Sequence, residues 1–239
     1  DALKHANYLQ ECGADIIDIG GESTRPGADE VSYSEELKRV IPVIEGIRSC
    51  NNKILISIDT TKSMVAKEAV EAGANIINDV SGLSFDNQMP ETIAQLKVPV
   101  IIMHMKGNPS DMQENPKYKD LINEIITYFE EKINIAINTG IEREMIILDP
   151  GIGFGKTVEH NFKILSELNR FNNLELPLLI GPSRKSFIGL TLDLPPEDRL
   201  DGTAATVAVG VNNGARIIRV HDVKNMKRVV IIADKIRNA

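Results

Sequence analysis

Side chains that can bind a ligand follow most of the apolar runs of this chain. The set consists of Asp59, Asn78, Asp149, Lys185, Arg219 and His221. A carboxylate can accept two parallel hydrogen bonds from a guanidine-like edge of a planar ligand, and a carboxamide can donate and accept at once. Basic side chains at other strand ends suit an anionic group. The residue types therefore predict a site for a polar heterocycle and an anion.

The acidic and amide side chains also have a simpler interpretation. Asp and Asn are common helix N-caps, and for Asp59, which precedes Thr60-Thr61-Lys62, capping and ligand binding are about equally expected. Capping is a weak explanation for Asp59, Asn78 and Asp149 together, because each closes a different strand. A carboxylate at such a place is costly to desolvate unless it meets donors.

Two glycine-rich segments add backbone groups to these side chains. Residues 20–28 are a loop by composition, and they carry Thr24, Arg25 and several amides that can meet an anion or a second substrate. Residues 149–156 have neither the spacing of a P-loop nor that of a dinucleotide fingerprint. Their glycines predict a loop that folds close to a ligand, with Phe154 available to stack.

Two further clusters lie late in the chain. Residues 181–186 place Lys185 and Ser186 where a strand meets a helix, and a helix N-terminus favours a carboxylate. Arg219 and His221 end the last predicted strand, where residues two apart point the same way. We expect them to project together at the part of a barrel where phosphate sites recur.

The residues around 103–105 are ambiguous. Met103 lies near a strand tip, where it could line a pocket or pack in the core. His104 lies on an apolar strand, where a histidine is more often structural than catalytic. His104 is therefore interpreted as a structural residue.

The elements that position these side chains alternate along the chain. Strands are predicted at 15–20, 54–58, 75–78, 98–103, 145–148, 177–180 and 216–220. Helices are predicted at 1–13, 33–49, 62–72, 88–97, 117–139, 158–170, 184–190, 198–213 and 222–237. The strands are nearly continuous in apolarity, which is typical of parallel strands buried on both faces.

Polar residues at almost every strand end predict an α/β fold of the TIM (β/α)8 barrel type, in which these ends share one mouth. A barrel has eight strands, each before its helix, whereas this chain opens on a helix. We therefore expect the first strand and its loop upstream of residue 1, and one N-terminally incomplete barrel domain over residues 1–239. The alternative is an open doubly wound sheet of seven strands.

Bulk properties narrow the function classes. A net charge of −7 argues against broad nucleic-acid binding, and no apolar run approaches the length of a membrane span. Cys12 and Cys50 have no metal-type spacing and indicate reduced thiols in the cytoplasm. Small-molecule substrates are therefore the expected partners.

Along essentially its whole length the chain closely resembles the dihydropteroate synthase family. The shared motifs are Gly-Gly-Glu-Ser-Thr-Arg-Pro-Gly-Ala at 20–28, Ile-Asp-Thr at 58–60, Ile-Ile-Asn-Asp-Val at 76–80, Met-His-Met-Lys-Gly at 103–107, Asp-Pro-Gly-Ile-Gly-Phe-Gly-Lys at 149–156, Ser-Arg-Lys-Ser at 183–186 and Arg-Val-His-Asp at 219–222. The resemblance rests on the motifs jointly, since no single one is specific enough.

The resemblance implies a transferase of folate biosynthesis. Such an enzyme joins 6-hydroxymethyl-7,8-dihydropterin diphosphate to 4-aminobenzoate and releases diphosphate. It also implies Mg2+, a homodimer and membership of a family that is a sulfonamide target, because these drugs mimic aminobenzoate. An asparagine of the family's first strand helps to bind Mg2+, and that strand is expected upstream, so no metal ligand is named here.

The resemblance also assigns residues to each ligand. It implies pterin contacts by Asp59, Asn78, Met103, Asp149, Phe154, Gly181 and Lys185. It implies diphosphate contacts by Thr24, Arg25, Arg219 and His221. It implies aminobenzoate contacts by Thr24, Arg25, Pro26, Phe154, Lys185 and Ser186. The catalytic set would be Asp59, Asn78, Asp149, Lys185, Arg219 and His221.

Two alternatives stay open at this point. A corrinoid-dependent pterin methyltransferase shares the barrel and the Asp/Asn pterin contacts but needs no diphosphate or aminobenzoate site, so the motifs at 183–186 and 219–222 argue against it. A non-catalytic paralogue would bind pterin without turnover, and the intact motifs weigh against that.

Overall fold

The computed structural model describes residues 1–23, 29–51, 53–107, 112 and 115–239. The chain divides into two compact units. The first comprises Asp1–Met103 with Glu131–Ile147, and the second comprises His104–Glu130 with Leu148–Ala239. The predicted ligand contacts Thr24, Arg25 and Pro26 lie outside the described residues. The prediction of a single domain over residues 1–239 stays a prediction.

The first unit alternates helices and parallel strands. Its elements are α1 (Ala2–Glu11), β1 (Ile16–Gly20), α2 (Tyr33–Cys50), β2 (Leu55–Asp59), α3 (Ser63–Glu71), β3 (Ile76–Asp79), α4 (Met89–Leu96) and β4 (Val100–Met103). β1 pairs with β2, β2 with β3 and β3 with β4, all in parallel. These strands follow one another in chain order, as expected when each crossover is a single helix.

One face of this sheet is apolar and buried. Ile17, Ile56, Ile58 and Ile77 on that face are each less than 5 % exposed. Because side chains alternate across a strand, the residues between them lie on the opposite face. That opposite face carries the polar side chains of Asp18, Ser57, Asp59 and Asn78. Burial of the apolar face therefore determines the direction in which these polar side chains point.

Helix α2 shows why these segments are helical. Ser32 is the N-cap, and its side chain accepts a hydrogen bond from the Glu35 amide. Val40, Ile44 and Ile47 recur at helical spacing and are fully buried.

The second unit continues the same alternation. Its elements are β6 (Leu178–Ile180), α6 (Val158–Ser166), α7 (Ser186–Leu192), α8 (Leu200–Asn212), β7 (Ala215–Ile218) and α9 (Val223–Arg237), with 3-10 turns at Leu168–Leu174 and Pro196–Asp198. α5 (Leu121–Asn138) and β5 (Ile146–Asp149) contain the boundary between the units, and a 3-10 turn at Arg143–Met145 precedes β5. β5 pairs in parallel with β6, and β6 with β7.

In the part of the chain that the structure describes, seven strands occur in the predicted order, and most bounds agree within two residues. Two predicted elements differ more. The helix predicted at 158–170 ends at Ser166 and passes into a 3-10 turn, and the helix predicted at 117–139 begins at Leu121. None of the helices in the described ranges is long and apolar enough to cross a membrane.

Candidate active site

The first unit gathers polar side chains on one face of its sheet. Asp59 and Asn78 occupy paired positions on β2 and β3, and the Thr60 amide donates to the Asn78 carbonyl at 3.1 Å. Ser57 and Asp18 pair one step below them, and the Ser57 hydroxyl hydrogen-bonds the Asp18 carboxylate. Met103, two residues after the partner of Asn78, lies on the same face of β4. The structure therefore brings Asp59, Asn78 and Met103 together as predicted.

The neighbouring Asp79 points to the opposite face and has a structural role. Its carboxylate accepts hydrogen bonds from the Ser81 amide, the Ser81 hydroxyl and the Leu83 amide, all within 2.8 Å. Burial raises the pKa of Asp79, although the hydrogen bonds from Ser81 and Leu83 lower it. Asp79 thus fixes the turn after β3, while Asn78 lies on the other face of the strand, beside Asp59.

A partly buried ion cluster holds the segments on either side of residues 24–28. Lys62 contacts the carboxylates of Glu22 and Glu36, the latter at 2.8 Å. Glu22 also accepts the amide of Val31 at 2.8 Å. Burial lowers the pKa of Lys62, but the two carboxylates outweigh it, so the pKa is raised overall. The ammonium therefore remains charged and ties residues 22 and 31 to the start of α3.

In the second unit, Asp149 is the buried acceptor at the end of β5. The residue is 8 % exposed, and its Oδ1 accepts the Gly151 amide at 2.7 Å. Burial raises the pKa of Asp149, while the Gly151 N–H, Lys185, Lys156 and Arg219 act in the opposite direction. Three cations thus favour the carboxylate form that a guanidine-like edge needs.

Lys185 lies over the ring of Phe154, with 4.2 Å from Nζ to the ring centroid. Gly153 has φ +83°, and a Cβ there would come within 3.2 Å of the Lys185 side chain. The glycine therefore leaves room for Lys185 to reach across the loop. Ser186 is the exposed first residue of α7.

Arg219 and His221 follow β7 rather than belonging to it. The strand ends at Ile218, two residues before its predicted end, although the Arg219 amide still donates to Ile180 at 2.9 Å. Arg219 is exposed beside Gly181, where a Cβ would be 3.7 Å from that of Arg219. The shared direction of Arg219 and His221 thus cannot be derived from strand alternation.

Ser183 holds His221 in place instead. The Ser183 hydroxyl lies 2.9 Å from Nδ1 of His221 and accepts the His221 amide at 3.2 Å. Because the oxygen already accepts from the amide, its hydrogen can be donated to Nδ1, and the ring proton is then on Nε2. That tautomer presents a donor to an anion.

An ion pair joins the same two loops. The Arg184 guanidinium donates to both oxygens of Asp222, at 2.8 and 2.6 Å. Arg184 has φ +55°, an uncommon value for a residue with a side chain. The bidentate pair stabilises this backbone turn, which places Lys185 at the start of α7.

Sequence reasoning did not single out Ser183, Arg184 or Asp222. Their signal was present, because each flanks a predicted ligand residue in a motif that was noted. What a sequence cannot show is that the loop after β6 bonds to the loop after β7. These residues orient Lys185 and His221.

Replacing Ser183 by Ala should weaken the binding of an anion at His221. The substitution removes both bonds of the Ser183 hydroxyl to His221. Loss of the bond that orients the ring is worth about 1 kcal/mol, so roughly a fivefold loss of affinity for the diphosphate ester is expected. Calorimetric titration measures this, with Ser166→Ala as control, because Ser166 is exposed and its hydroxyl donates to the Lys163 carbonyl of its own helix. Equal affinities for wild type and Ser183→Ala would contradict the orienting role.

Within the described ranges, no group of three or more His, Cys, Asp or Glu side chains could hold a metal ion.

Comparison with known proteins supplies the family context. The pterin binding enzyme family matches residues 1–221. The dihydropteroate synthase of Escherichia coli (strain K12) is 50% identical over 224 residues, which are 94% of this chain and 79% of that protein. The dihydropteroate synthase of Bacillus subtilis (strain 168) is 46% identical over 237 residues, or 99% of this chain and 80% of that protein.

Solved structures give the same result for the fold. The Yersinia pestis dihydropteroate synthase in a sulfonamide drug complex has a TM-score of 0.96 at 43% identity, and the match covers 99% of this chain and 86% of that one. The enzyme from Xanthomonas albilineans with 4-aminobenzoic acid has a TM-score of 0.92 at 40% identity, covering 99% and 84%. The predicted α/β barrel class is confirmed by these likenesses.

Proposed function

The chain belongs to the dihydropteroate synthase family of pterin-binding enzymes. We propose that its residues carry out the dihydropteroate synthase reaction in the roles that follow. The enzyme is a transferase that joins 6-hydroxymethyl-7,8-dihydropterin diphosphate to 4-aminobenzoate. The observation that carries the assignment of roles is the buried Asp149 carboxylate with Lys185, Lys156 and Arg219 near it. This arrangement suits a neutral heterocycle that carries an anionic leaving group.

Asp149 accepts two N–H bonds from the guanidine-like edge of the pterin. One oxygen is already oriented by the Gly151 amide, so little rearrangement is needed on binding. A charged acceptor makes stronger hydrogen bonds than a neutral one. Phe154 and Lys185 then cover the ring, because the ammonium and the aromatic face are already in contact.

Arg219 and His221 bind the diphosphate. Arg219 is exposed, and Ser183 occupies Nδ1 of His221, which orients the imidazole ring. As the bond between the pterin methylene and the ester oxygen breaks, negative charge accumulates on the departing diphosphate. Fixed cations there lower the barrier by electrostatic stabilisation.

The new bond forms between the aminobenzoate nitrogen and the methylene carbon. When diphosphate leaves first, positive charge develops on the pterin methylene, and the Asp149 carboxylate stabilises it through the ring. The aromatic amine is already a neutral nucleophile, and its proton passes to solvent after attack. Lys185, Phe154 and Ser186 are proposed to receive the aminobenzoate, with Ser186 accessible for its carboxylate.

For the other predicted residues the roles rest on resemblance. Asp59, Asn78 and Met103 are proposed pterin contacts, supported by their shared polar face in the first unit. Gly181 is proposed to line the pterin pocket. Thr24, Arg25 and Pro26 are proposed to contact diphosphate and aminobenzoate, and they lie outside the described residues.

The remaining expectations also stay proposals. Magnesium would enter with the diphosphate, whose oxygens are its preferred ligands. A homodimer and a cytoplasmic location are proposed from the resemblance. Sulfonamides are proposed to compete with aminobenzoate, which is supported by the drug complex of the Yersinia pestis relative.

Arg219→Ala should separate diphosphate binding from pterin binding. Loss of a charge-assisted contact costs about 2 kcal/mol, which corresponds to roughly a 30-fold loss of affinity for the pterin diphosphate. The affinity for the unphosphorylated hydroxymethylpterin should change less than about threefold. Isothermal titration with both ligands measures this.

The control is Arg216→Ala, an exposed arginine two residues earlier on β7. It removes the same charge and should leave both affinities unchanged. Equal losses for both ligands in Arg219→Ala would refute this division of roles.

The proposed function is tested by product formation. The protein with both substrates and Mg2+ should yield 7,8-dihydropteroate, identified by its mass, and omission of aminobenzoate should abolish it. A pterin methyltransferase would instead consume a methylated pterin and form no dihydropteroate. Pterin binding without product would favour the non-catalytic paralogue.

A further inference from the structure

Lys156 closes the glycine-rich segment and is almost completely buried, at 3 % exposed. Its Nζ donates to the Phe154 carbonyl at 2.8 Å and lies 3.0 Å from Nδ1 of His104. The His104 carbonyl is a further acceptor at 3.3 Å. A buried ammonium costs free energy unless it is well paired, so this placement requires an explanation.

His104 connects Lys156 to the start of the same segment. The His104 amide donates to the Asp149 carbonyl at 2.8 Å, and its ring packs edge-on against Tyr128 with centroids 4.8 Å apart. A chain of bonds therefore runs from Asp149 through His104 and Lys156 to Phe154. The two ends of the loop that carries Asp149 and Phe154 are held together by one lysine.

The rest of the loop is also close-packed. Gly155 has φ +63°, and a Cβ there would come within 2.3 Å of the Lys106 carbonyl. Its own carbonyl accepts the Tyr118 hydroxyl at 2.8 Å. In a loop packed this tightly, loss of the Lys156 hydrogen bonds displaces Phe154, because neighbouring residues have no room to rearrange around the change.

The charges that face Lys156 come from several elements. Asp149 at the end of β5 favours its charged form, and Lys185 at the start of α7 opposes it. Burial is the largest influence and lowers the pKa of Lys156 to about 7. Lys156 in turn acts on His160 of α6, and Arg219 acts with it on Asp149.

His104 is the neutral partner. Burial, and then the charges of Lys156 and Lys106, hold the pKa of His104 well below its ordinary value. Its Nδ1 can therefore accept from the ammonium. Below pH 7 the proton of the pair is on Lys156, where it supports the Asp149 carboxylate.

We propose that Lys156 is a positioning residue for both substrates: its bonds to His104 and to the Phe154 carbonyl hold Phe154 against Lys185, and its buried charge keeps Asp149 ionised. This inference rests on the proposed function, because it assigns Lys156 to the same pterin and aminobenzoate contacts. Lys156 itself need not touch either ligand.

Lys156→Met keeps an unbranched side chain that is one heavy atom shorter, and removes both the charge and the three bonds. Without the charge, Asp149 takes up a proton at higher pH, so pterin binding should be lost on acidification about one pH unit earlier than in wild type. Without the bonds, Phe154 is less well placed, and the KM for aminobenzoate should rise about tenfold. Pterin titrations between pH 5 and 8 and steady-state kinetics measure both effects.

Two further variants separate these roles from a loss of folding. The acid limb is the range of pH over which pterin binding is lost on acidification. Lys156→Arg keeps the charge and should return the acid limb to its wild-type position. Lys156→Gln keeps a donor for the Phe154 carbonyl without charge, and should shift the acid limb while changing the aminobenzoate KM less than Lys156→Met. The matched control is Lys163→Met, an exposed lysine on α6, which should behave as wild type.

The outcomes distinguish a failure of the positioning role of Lys156 from a failure of the proposed function. An acid limb and an aminobenzoate KM in Lys156→Met and Lys156→Gln that match wild type would overturn the positioning role. If Lys156→Met fails to fold, as judged by circular dichroism, the Lys156→Gln and Lys156→Arg pair decides, since only the charged variant should keep the acid limb. Wild-type protein that neither binds pterin nor turns over would instead overturn the proposed function.

Discussion

Asp149→Asn should reduce pterin affinity by about 100-fold or more, with an even larger loss in turnover. The carboxamide turns one acceptor into a donor that faces the donor edge of the pterin, and an unpaired buried donor costs about 1–3 kcal/mol in addition to the lost charge-assisted bonds. The residue is 8 % exposed, so water cannot replace the lost partner easily. Isothermal titration with hydroxymethylpterin and steady-state kinetics measure the two losses.

The pH dependence of this variant gives an independent check. Since burial raises the pKa of Asp149, wild-type pterin binding should weaken on acidification at a pH above the ordinary aspartate value. In Asp149→Asn nothing titrates at this position, so that limb should be flat. Asp198→Asn, an exposed aspartate in the same unit, is the control. A folded Asp149→Asn protein that binds pterin within about threefold of wild type would be incompatible with the proposed pterin contact.

Lys185→Ala should impair both substrates at once. The ammonium contacts the Phe154 ring at 4.2 Å and favours the charged form of Asp149, so its removal changes the pterin and aminobenzoate contacts together. A cation–π contact that is partly desolvated and a charge interaction are each worth about 1–2 kcal/mol, which predicts roughly a 100-fold loss in kcat/KM. Steady-state kinetics with each substrate varied in turn separate the two KM effects.

Lys185→Arg and Lys163→Ala are the controls for that experiment. The guanidinium keeps a charge over an aromatic ring and should recover part of the activity, whereas Lys163 is exposed on α6 and should be silent. Unchanged kinetics for both substrates in Lys185→Ala would remove this residue from the site.

The order of the elements and the positions of many candidate site residues at strand ends could be predicted from the sequence, because apolar period and strand-end polarity are local signals. Asp149 is an example, since it ends an apolar run and begins a glycine-rich loop. The choice between Asn78 and Asp79 was also predictable in principle. They lie on opposite faces of β3, and only one of them can share the face of Asp59.

What the sequence could not provide are contacts between loops distant along the chain. Ser183 is bonded to His221, 38 residues away, and Lys156 to His104, 52 residues away. The end of the strand predicted at 216–220 was placed two residues too late for a related reason. The His221 amide donates to Ser183, so strand pairing does not continue past the Arg219 amide, which still donates to Ile180. The buried bonds of His104 agree with its interpretation as a structural residue. Through Lys156, these bonds also help to position the proposed ligand contacts.

The central claim is most directly tested by diphosphate release with and without 4-aminobenzoate. The natural full-length protein would be given the pterin diphosphate and Mg2+, and diphosphate would be quantified alongside the Asp149→Asn variant. We predict release that depends on aminobenzoate, with one diphosphate for each dihydropteroate formed, and almost none from the variant. Release that is independent of aminobenzoate, or no release from protein that binds pterin, would contradict the account.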